Sequence, residues 1–504
     1  MAGGPCGMEH MHIIRFLGRR EYGLGATALA FIVLQVYLDL KLPDYMQTIT
    51  TLIVTPGTAM GRVLGEGALM LGCALGSMLA TVVTGYCMAV IGTSMAQRMR
   101  AGVFDATLDF SMAEIGEFST PSLITRSTND VTQIQMFVVM AVQLLVRSPI
   151  VAVWAILKIS DANMTWTLAT GAAVAVLLTV LGVIAVLVTP RMMRMQRITD
   201  DLNRVTREHL SGLRVIRAYN SQGFHGRRFE AANAELTGAN TFVNNAFAFL
   251  MPSLTAIMSG LSLAIYVLGA VMIDDATGAE RLTLFSQMIV FSAYALQIVG
   301  AFMMLAFVFI FMPRARVAWR RIREVLSTEP GIADGAARVG RSRASGEVEF
   351  RNVSFLKDVS FTARPGQTVA IIGSTGSGKS SIVNLVPRFY DVREGQVLVD
   401  GRDVREWEQK ALRDRISFVP QRATLFSGTI ASNIDFGRGA REVTPRDVVE
   451  AAEAASAVEF IAAREGRYAS AVAQGGSNFS GGQKQRLAIA RAVARGGGVM
   501  IFDD

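Results

Sequence analysis

The chain has 504 residues, of which 51% are hydrophobic, and its mean hydropathy is +0.37; this excludes a chain made only of soluble domains and calls for a membrane part beside one soluble domain. The net charge of +8 does not call for nucleic acid, because the arginines flank apolar segments as cytoplasmic loops require. Three cysteines, Cys6, Cys73 and Cys87, exclude a disulfide framework or zinc spacing, and in one helix Cys73 and Cys87 would stand roughly 21 Å apart, too far to bridge.

Arg15, Arg19 and Arg20 precede the apolar run 24–38 and imitate a signal peptide. No small-x-small cleavage site follows convincingly and further spans come after it, so an uncleaved first span is expected. Six apolar segments can each cross the hydrocarbon core as a helix: 24–48, 67–92, 136–159, 165–188, 243–273 and 284–312. The pieces 161–164 and 274–281 between them are short, whereas 98–135 and 190–242 are long, polar and helix-compatible. Nine arginines fall between 191 and 228. The positive-inside rule places these long loops and both chain ends in the cytoplasm.

Arg147 is the one basic residue read as lying well inside a span. A charge at that depth snorkels, packs or faces water; the alternatives are a snorkelling or packing arginine and a cavity-lining residue that disfavours cationic cargo. Phe291, Tyr294, Phe302, Met303 and Met304 of the last two spans are either ordinary apolar-span residues or cavity lining.

The stretch 314–345 is basic and then rich in Gly and Ala, and a soluble domain is expected from Gly346. Within it, 368–372 (TVAII) reads as a buried strand, followed by the loop GSTGSGKS, Gly373, Ser374, Thr375, Gly376, Ser377, Gly378, Lys379 and Ser380, with Ser381 next, and then by a helix. That is the strand–loop–helix context of a P-loop: glycines let backbone N–H groups curl round phosphate, Lys379 would reach the β- and γ-phosphates, and Ser380 would ligate Mg²⁺. Further on stand Gln421 in FVPQRATLF, the segment NFSGGQKQR with Ser480, Gly481, Gly482 and Gln483, and VMIFDD, an apolar strand ending in Asp503 and Asp504. The glycines after Ser480 allow close backbone approach, and the following helix aims its N-terminus at an anion.

P-loop, SGGQ and apolar strand ending in Asp, in this order, resemble the nucleotide-binding domain of an ATP-binding cassette (ABC) transporter. Six spans with two long inner loops, among them FSTPSLITRSTND and EHLSGLRVIRAYN, resemble the membrane domain of ABC exporters, closest to the bacterial multidrug-type branch. The implied fold is an all-α six-span membrane domain with long cytoplasmic helical extensions (1–325), a linker (326–345) and an incomplete α/β P-loop ATPase domain (346–504). The resemblance implies ATP and Mg²⁺ as cofactors. It makes Gln421 the Q-loop residue that meets Mg²⁺ or the attacking water, and Asp503 a Mg²⁺-linked carboxylate. Ser480 to Gln483 would contact the γ-phosphate of ATP held by an opposing domain. Partners are then a second exporter half, the lipid bilayer and a hydrophobic small-molecule cargo, with no nucleic acid, in the cytoplasmic membrane.

Three departures from the family pattern matter. Asp504 stands where the catalytic residue is normally Glu, and in the family Asp there marks the slow site of heterodimeric exporters. The stretch VEFRNVSFLKDVSF is shorter than usual, and Phe355 is the only aromatic near the place of the adenine-stacking ring. The family continues beyond the position of Asp504 to a switch histidine, whereas His10, His12, His209 and His225 all lie in the membrane half; a fragment or interrupted gene product is expected. The leading reading is ATP-driven export by one half of a dimer, heterodimer favoured over homodimer. The alternatives are a hydrolysis-deficient subunit that only completes a partner's ATP site and, with no supporting feature, an ATP-gated channel.

Overall fold

The computed structural model describes residues 13–55, 57–160, 164–277, 279–340, 346–354, 358–437 and 442–503. Cys6, His10, His12, Phe355 and Asp504 lie outside them. The chain forms two units, Met1–Phe104 with Ile124–Ser327, and Asp105–Leu123 with Thr328–Asp504.

The first unit is helical: α1 (Arg19–Val54), α2 (Met60–Asp109), a segment of the second unit with α3 (Met112–Phe118), then α4 (Thr120–Thr125), a π-helical turn (Arg126–Asp130), α5 (Val131–Ser160), α6 (Met164–Ser211), α7 (Leu213–Ala218), α8 (Gln222–Asp275) and α9 (Ala279–Ser327). Among the described residues six helical stretches are long and apolar enough to cross a membrane: Arg19–Val54, Met60–Asp109, Thr120–Ile159, Met164–Ser211, Gln222–Asp275 and Glu280–Leu305. The first five each contain one of the apolar segments read in the sequence; the sixth segment, 284–312, runs seven residues past Leu305 but stays within α9. Internal hydrogen bonding satisfies every interior backbone group of such a helix, which is why these runs are not strands. The helices α6 and α8 continue past their apolar parts as polar arms, tied by Arg194–Glu235 (2.8 Å) and Arg228–Glu208 (2.9 Å). The bundle core joins Val36 and Leu40 of α1 to Ala155 of α5, Trp166 of α6, Leu261 of α8 and Phe291 of α9.

Tyr294 and Phe291 are 3% and 2% exposed, which corrects the cavity-lining alternative for both. Phe291 packs against the Trp166 ring at 5.4 Å, and the Tyr294 hydroxyl is held between Leu40 O (2.9 Å) and the Asp44 carboxylate (2.6 Å). Phe302 and Met303 pack on the same core, and Met304 is exposed.

In the second unit, β1 (Val348–Val353) and β2 (Val359–Ala363) pair antiparallel, and β3 (Gln396–Val399) and β4 (Arg402–Asp403) complete a sheet of order β2-β1-β3-β4. The two strands pair from Val348 opposite Ala363 to Val353 opposite Val359, with Phe350 stacked on Phe361 at 4.7 Å. After the P-loop come α10 (Lys379–Leu385), α11 (Gln409–Arg413) and β5 (Ile416–Val419). A helical layer follows: β6 (Gly428–Thr429), α12 (Ile430–Ile434), α13 (Pro445–Ala454), α14 (Val458–Ala462), β7 (Ala471–Val472) and α15 (Gly481–Arg495). The last strand, β8 (Val499–Phe502), runs parallel to β5 with Val419 opposite Phe502. Two apolar cores result, one under the sheet around Phe350, Val397, Trp407 and Ile416, the other among α12, α13 and α15 around Ile430, Ala452 and Leu487.

Asp400, 2% exposed, fixes the start of the sheet. Its carboxylate accepts from Gly346 N (2.7 Å), Glu347 N (3.2 Å) and Arg415 (2.8 Å). Gly346 has φ +97 and a Cβ there would stand 2.4 Å from the Gly498 carbonyl oxygen, so only glycine fits.

The expected buried strand at 368–372 is not one. These residues have no strand conformation, and Val369 and Ile372 are 46% and 92% exposed. The physical reason is the lack of a neighbour: among the described residues no strand pairs with them, and an extended run without ladder bonds on either side gains nothing from the pleat.

Candidate nucleotide site

The P-loop geometry is set by glycines. Gly376 and Gly378 have φ +82 and +89, the left-handed region, which a side chain would resist. These two turns curl 373–378 into an exposed loop. Ser377 N donates to Ser374 O at 3.2 Å, and a Cβ on Gly373 would meet the Ser377 hydroxyl at 2.7 Å. Thr375 is at the exposed outer edge. The Lys379 ammonium lies across the loop, donating to Gly373 O and Ser374 O, both at 2.9 Å. Ser381 is in the first turn of α10.

The Ser380 hydroxyl donates to the Asp503 carboxylate at 2.7 Å. The structure thus joins two residues far apart in the chain. Asp503 N bonds Val419 O at 3.0 Å, so the end of β5, the end of β8 and the first turn of α10 converge. Gln421 follows Val419 closely and is exposed. A hydroxyl and a carboxylate are hard oxygen donors of the kind Mg²⁺ takes together with substrate phosphates; on this ground the residues fit the ion.

The signature segment is built separately from the P-loop. Ser480 caps α15: its Oγ accepts from Gln483 N (3.3 Å) while Gln483 Oε1 accepts from Ser480 N (3.1 Å), a reciprocal capping box. Extra Cβ atoms on Gly481 or Gly482 would meet nothing within 4 Å, so the first turn of this fifteen-residue helix is open to an approaching anion. Phe479, where the family commonly has Leu, is 7% exposed. The Arg464 guanidinium lies 3.9 Å over its ring and Phe460 meets it edge-on at 6.4 Å, so the larger side chain has its own seat. Arg464 also donates to Asn478 O at 3.0 Å.

A cleft of about 190 Å³ lies elsewhere in this unit, lined by Phe389, Phe418, Phe436, Arg413 and Arg491 among others, and holds no P-loop or signature residue. Burial lowers the pKa of both arginines below the usual range, with the Arg388 charge adding to the effect at Arg413.

The membrane unit holds Asp39, Asp44, Ser77 and Lys158 in polar contacts that the apolar pattern of the spans does not announce. Arg147 is paired: its guanidinium meets the Asp39 carboxylate of α1 at 3.0 Å, and Ser77 of α2 also donates to Asp39. Lys158 of α5 meets Asp44 at 2.9 Å, the carboxylate that also takes the Tyr294 hydroxyl. The signal was two aspartates five positions apart inside the first spanning segment, 24–48.

The comparisons with known proteins fit this geometry. A family model described as ABC transporter transmembrane region matches residues 29–302, and one described as ABC transporter matches 356–504. The chain is 38% identical over 476 residues to an uncharacterized ABC transporter ATP-binding protein of Mycobacterium tuberculosis, over 91% of this chain and 80% of the relative. It is 30% identical over 447 residues to an ATP-dependent lipid A-core flippase of Pseudomonas aeruginosa, over 85% and 70%. In fold it is similar to a bacterial Atm1-family ABC exporter with ATP bound, with a TM-score of 0.74 at 22% identity over 96% of this chain and 85% of that one. The chain belongs to the ABC transporter family, as an exporter-type half-transporter whose six-span membrane domain is fused to an ATP-binding domain that is an ATPase coupled to transport.

Proposed function

We propose that the chain is one half of a dimeric exporter that moves a hydrophobic or amphipathic small molecule across the cytoplasmic membrane, with both termini in the cytoplasm. The observation that carries this reading is the 2.7 Å contact between Ser380 and Asp503, which assembles P-loop and acidic strand end on the same chain as the six apolar helices. ATP is held by Gly373 to Ser381, with Lys379 leaving its carbonyl partners for the phosphates. Ser380, Asp503 and Gln421 would hold Mg²⁺, which when bound neutralises charge on the phosphates.

The open first turn of α15, capped by Ser480, completes the ATP site of the opposing chain through Gly481, Gly482 and Gln483. Asp504 is one methylene shorter than the usual Glu, and a misplacement of about 1 Å can cost around a hundredfold. The ATP on this chain's own P-loop therefore turns over slowly, and the partner is a different chain rather than a second copy. The same Asp504 favours the second reading, a subunit that only completes its partner's site; ATP turnover of the chain alone and with its partner separates the two.

Transport in inside-out vesicles tests the export reading with three probes: ethidium, a fluorescent acyl lipid and a hydrophobic peptide. ATP-driven accumulation of at least one, lost on Lys379→Ala, is expected. Accumulation of none, or accumulation indifferent to Lys379→Ala, would overturn it.

A further inference from the structure

The chain crosses between its two units after Phe104, after Leu123 and after Ser327. All three crossings lie beside one cluster at the end of α9. Arg126, in the π-helical turn just after the second crossing, is 8% exposed and Asp130, at the end of that turn, is 4% exposed. The Arg126 guanidinium donates to the Arg321 carbonyl and to the Glu324 carboxylate, both at 2.7 Å. Arg321 returns the contact, its guanidinium 3.2 Å from the Asp130 carboxylate. Beside the first crossing, Gly102 packs close to Leu326, whose side chain would be in ordinary contact with a Cβ there, at 3.5 Å. Near it, Phe16 meets Trp319 of α9 edge-on.

Charges are rarely buried without need, because desolvation opposes them, and removing one partner strands the other. Here the buried Arg126 and Asp130, with the part-exposed Arg321 and the exposed Glu324, tie the π-helical turn before α5 to the last turns of α9. Such π-helical turns are rare and gather at functional sites. Arg126 holds the carbonyl and the carboxylate through one nitrogen, Nη1.

We propose that Arg126 is a positioning residue for coupling: the Arg126–Glu324–Arg321–Asp130 cluster clamps the chain crossings into one stiff lever, so that movements of the nucleotide unit reach the membrane helices undivided. This rests on the ATP-driven export reading. Arg126 touches neither nucleotide nor cargo; it acts through α5 and α9.

The test uses the full chain assembled with its partner half in lipid nanodiscs, with Cys6, Cys73 and Cys87 of this chain replaced by Ser and nitroxides at Thr48→Cys and Asp275→Cys, near the ends of α1 and α8. The distance between them is measured with and without ATP, and the affinity for a fluorescent ATP analogue is measured alongside. In Arg126→Gln, the ATP-driven distance change is expected to be lost while the affinity stays as in the unmodified chain. Glu324→Gln repeats the test at an exposed position should Arg126→Gln fail to fold. Arg126→Lys, which keeps a cation able to donate to both partners, is expected to retain part of the movement, which a merely structural loss would not. Folded Arg126→Gln or Glu324→Gln variants that move like the unmodified chain, or an Arg126→Lys no better than Arg126→Gln, would overturn the clamp. An unmodified chain that ATP does not move at all would contradict the export reading itself, and the clamp with it.

Discussion

The Ser380 hydroxyl donates a 2.7 Å hydrogen bond to the Asp503 carboxylate, fastening the first turn of the P-loop helix to the end of the strand β8. The two oxygens come together because Asp503 N is bonded to Val419 O, so the parallel pairing of β5 and β8 fixes where the carboxylate stands.

That contact makes magnesium dependence the sharpest reporter of the site. Losing even an outer-shell partner costs about 10–100-fold in metal affinity. Ser380→Ala is therefore expected to raise the Mg²⁺ concentration for half-maximal ATP turnover of the assembled transporter by at least about tenfold. An unchanged Mg²⁺ titration would remove Ser380 from the site.

Phe479 anchors the signature segment under the Arg464 guanidinium and against Phe460. Phe479→Ala is expected to cost about 3–5 kcal/mol of local stability, as buried Phe to Ala changes do, read as faster hydrogen exchange across residues 481–495. Phe479→Leu keeps an apolar filling and is expected to cost less than about 1.5 kcal/mol. Equal exchange in all three proteins would show that the seat is not needed.

The pair Asp39–Arg147 lies within the apolar spans, the Arg147 side chain about half exposed and the Asp39 side chain less so. Polar contacts between membrane helices couple by about 0.6–2 kcal/mol in comparable systems. A double-mutant cycle with Asp39→Asn and Arg147→Gln in bicelles is expected to give a coupling in that range. A coupling of zero would make the two neighbours without interaction.

Glu114 closes a capping box on α3, with Ser111 N donating to its carboxylate at 2.7 Å and Ala113 N donating to the Ser111 hydroxyl. Burial raises its pKa, but the hydrogen bonds from Ser111 and the backbone N–H groups outweigh this and hold it below the ordinary value of 4.5. A lowered folded-state pKa stabilises above the unfolded value, and that contribution fades as pH falls through the folded one. Protection of residues 112–118 in hydrogen exchange should thus be flat at neutral pH and decline below pH 4.5, and Glu114→Gln should lack the decline. A decline that survives Glu114→Gln would locate the titrating group elsewhere.

Much of this molecule was legible in its sequence because its signals are local. Apolar runs of spanning length, the GSTGSGKS loop and the capped SGGQ helix each specify their own backbone. What was not legible depends on partners distant in the chain. TVAII has the composition of a buried strand, but composition does not supply the neighbouring ladder, and Ile372 stands exposed. Arg147 read as a lone charge because Asp39 lies 108 positions away, and Tyr294 read as possible cavity lining because its hydroxyl partners belong to α1. The Arg126 cluster joins positions nearly 200 residues apart, and nothing in either local pattern announces the other.

The most direct test of the proposal that this chain chiefly completes another chain's ATP site is steady-state ATP turnover of the assembled transporter with single changes in this chain. Asp504→Glu is expected to about double turnover per dimer, by turning a site slowed around a hundredfold into a second fast one, whereas Ser480→Ala is expected to lower it by at least about tenfold, as loss of one stabilising donor does. Unchanged turnover in both variants would contradict it.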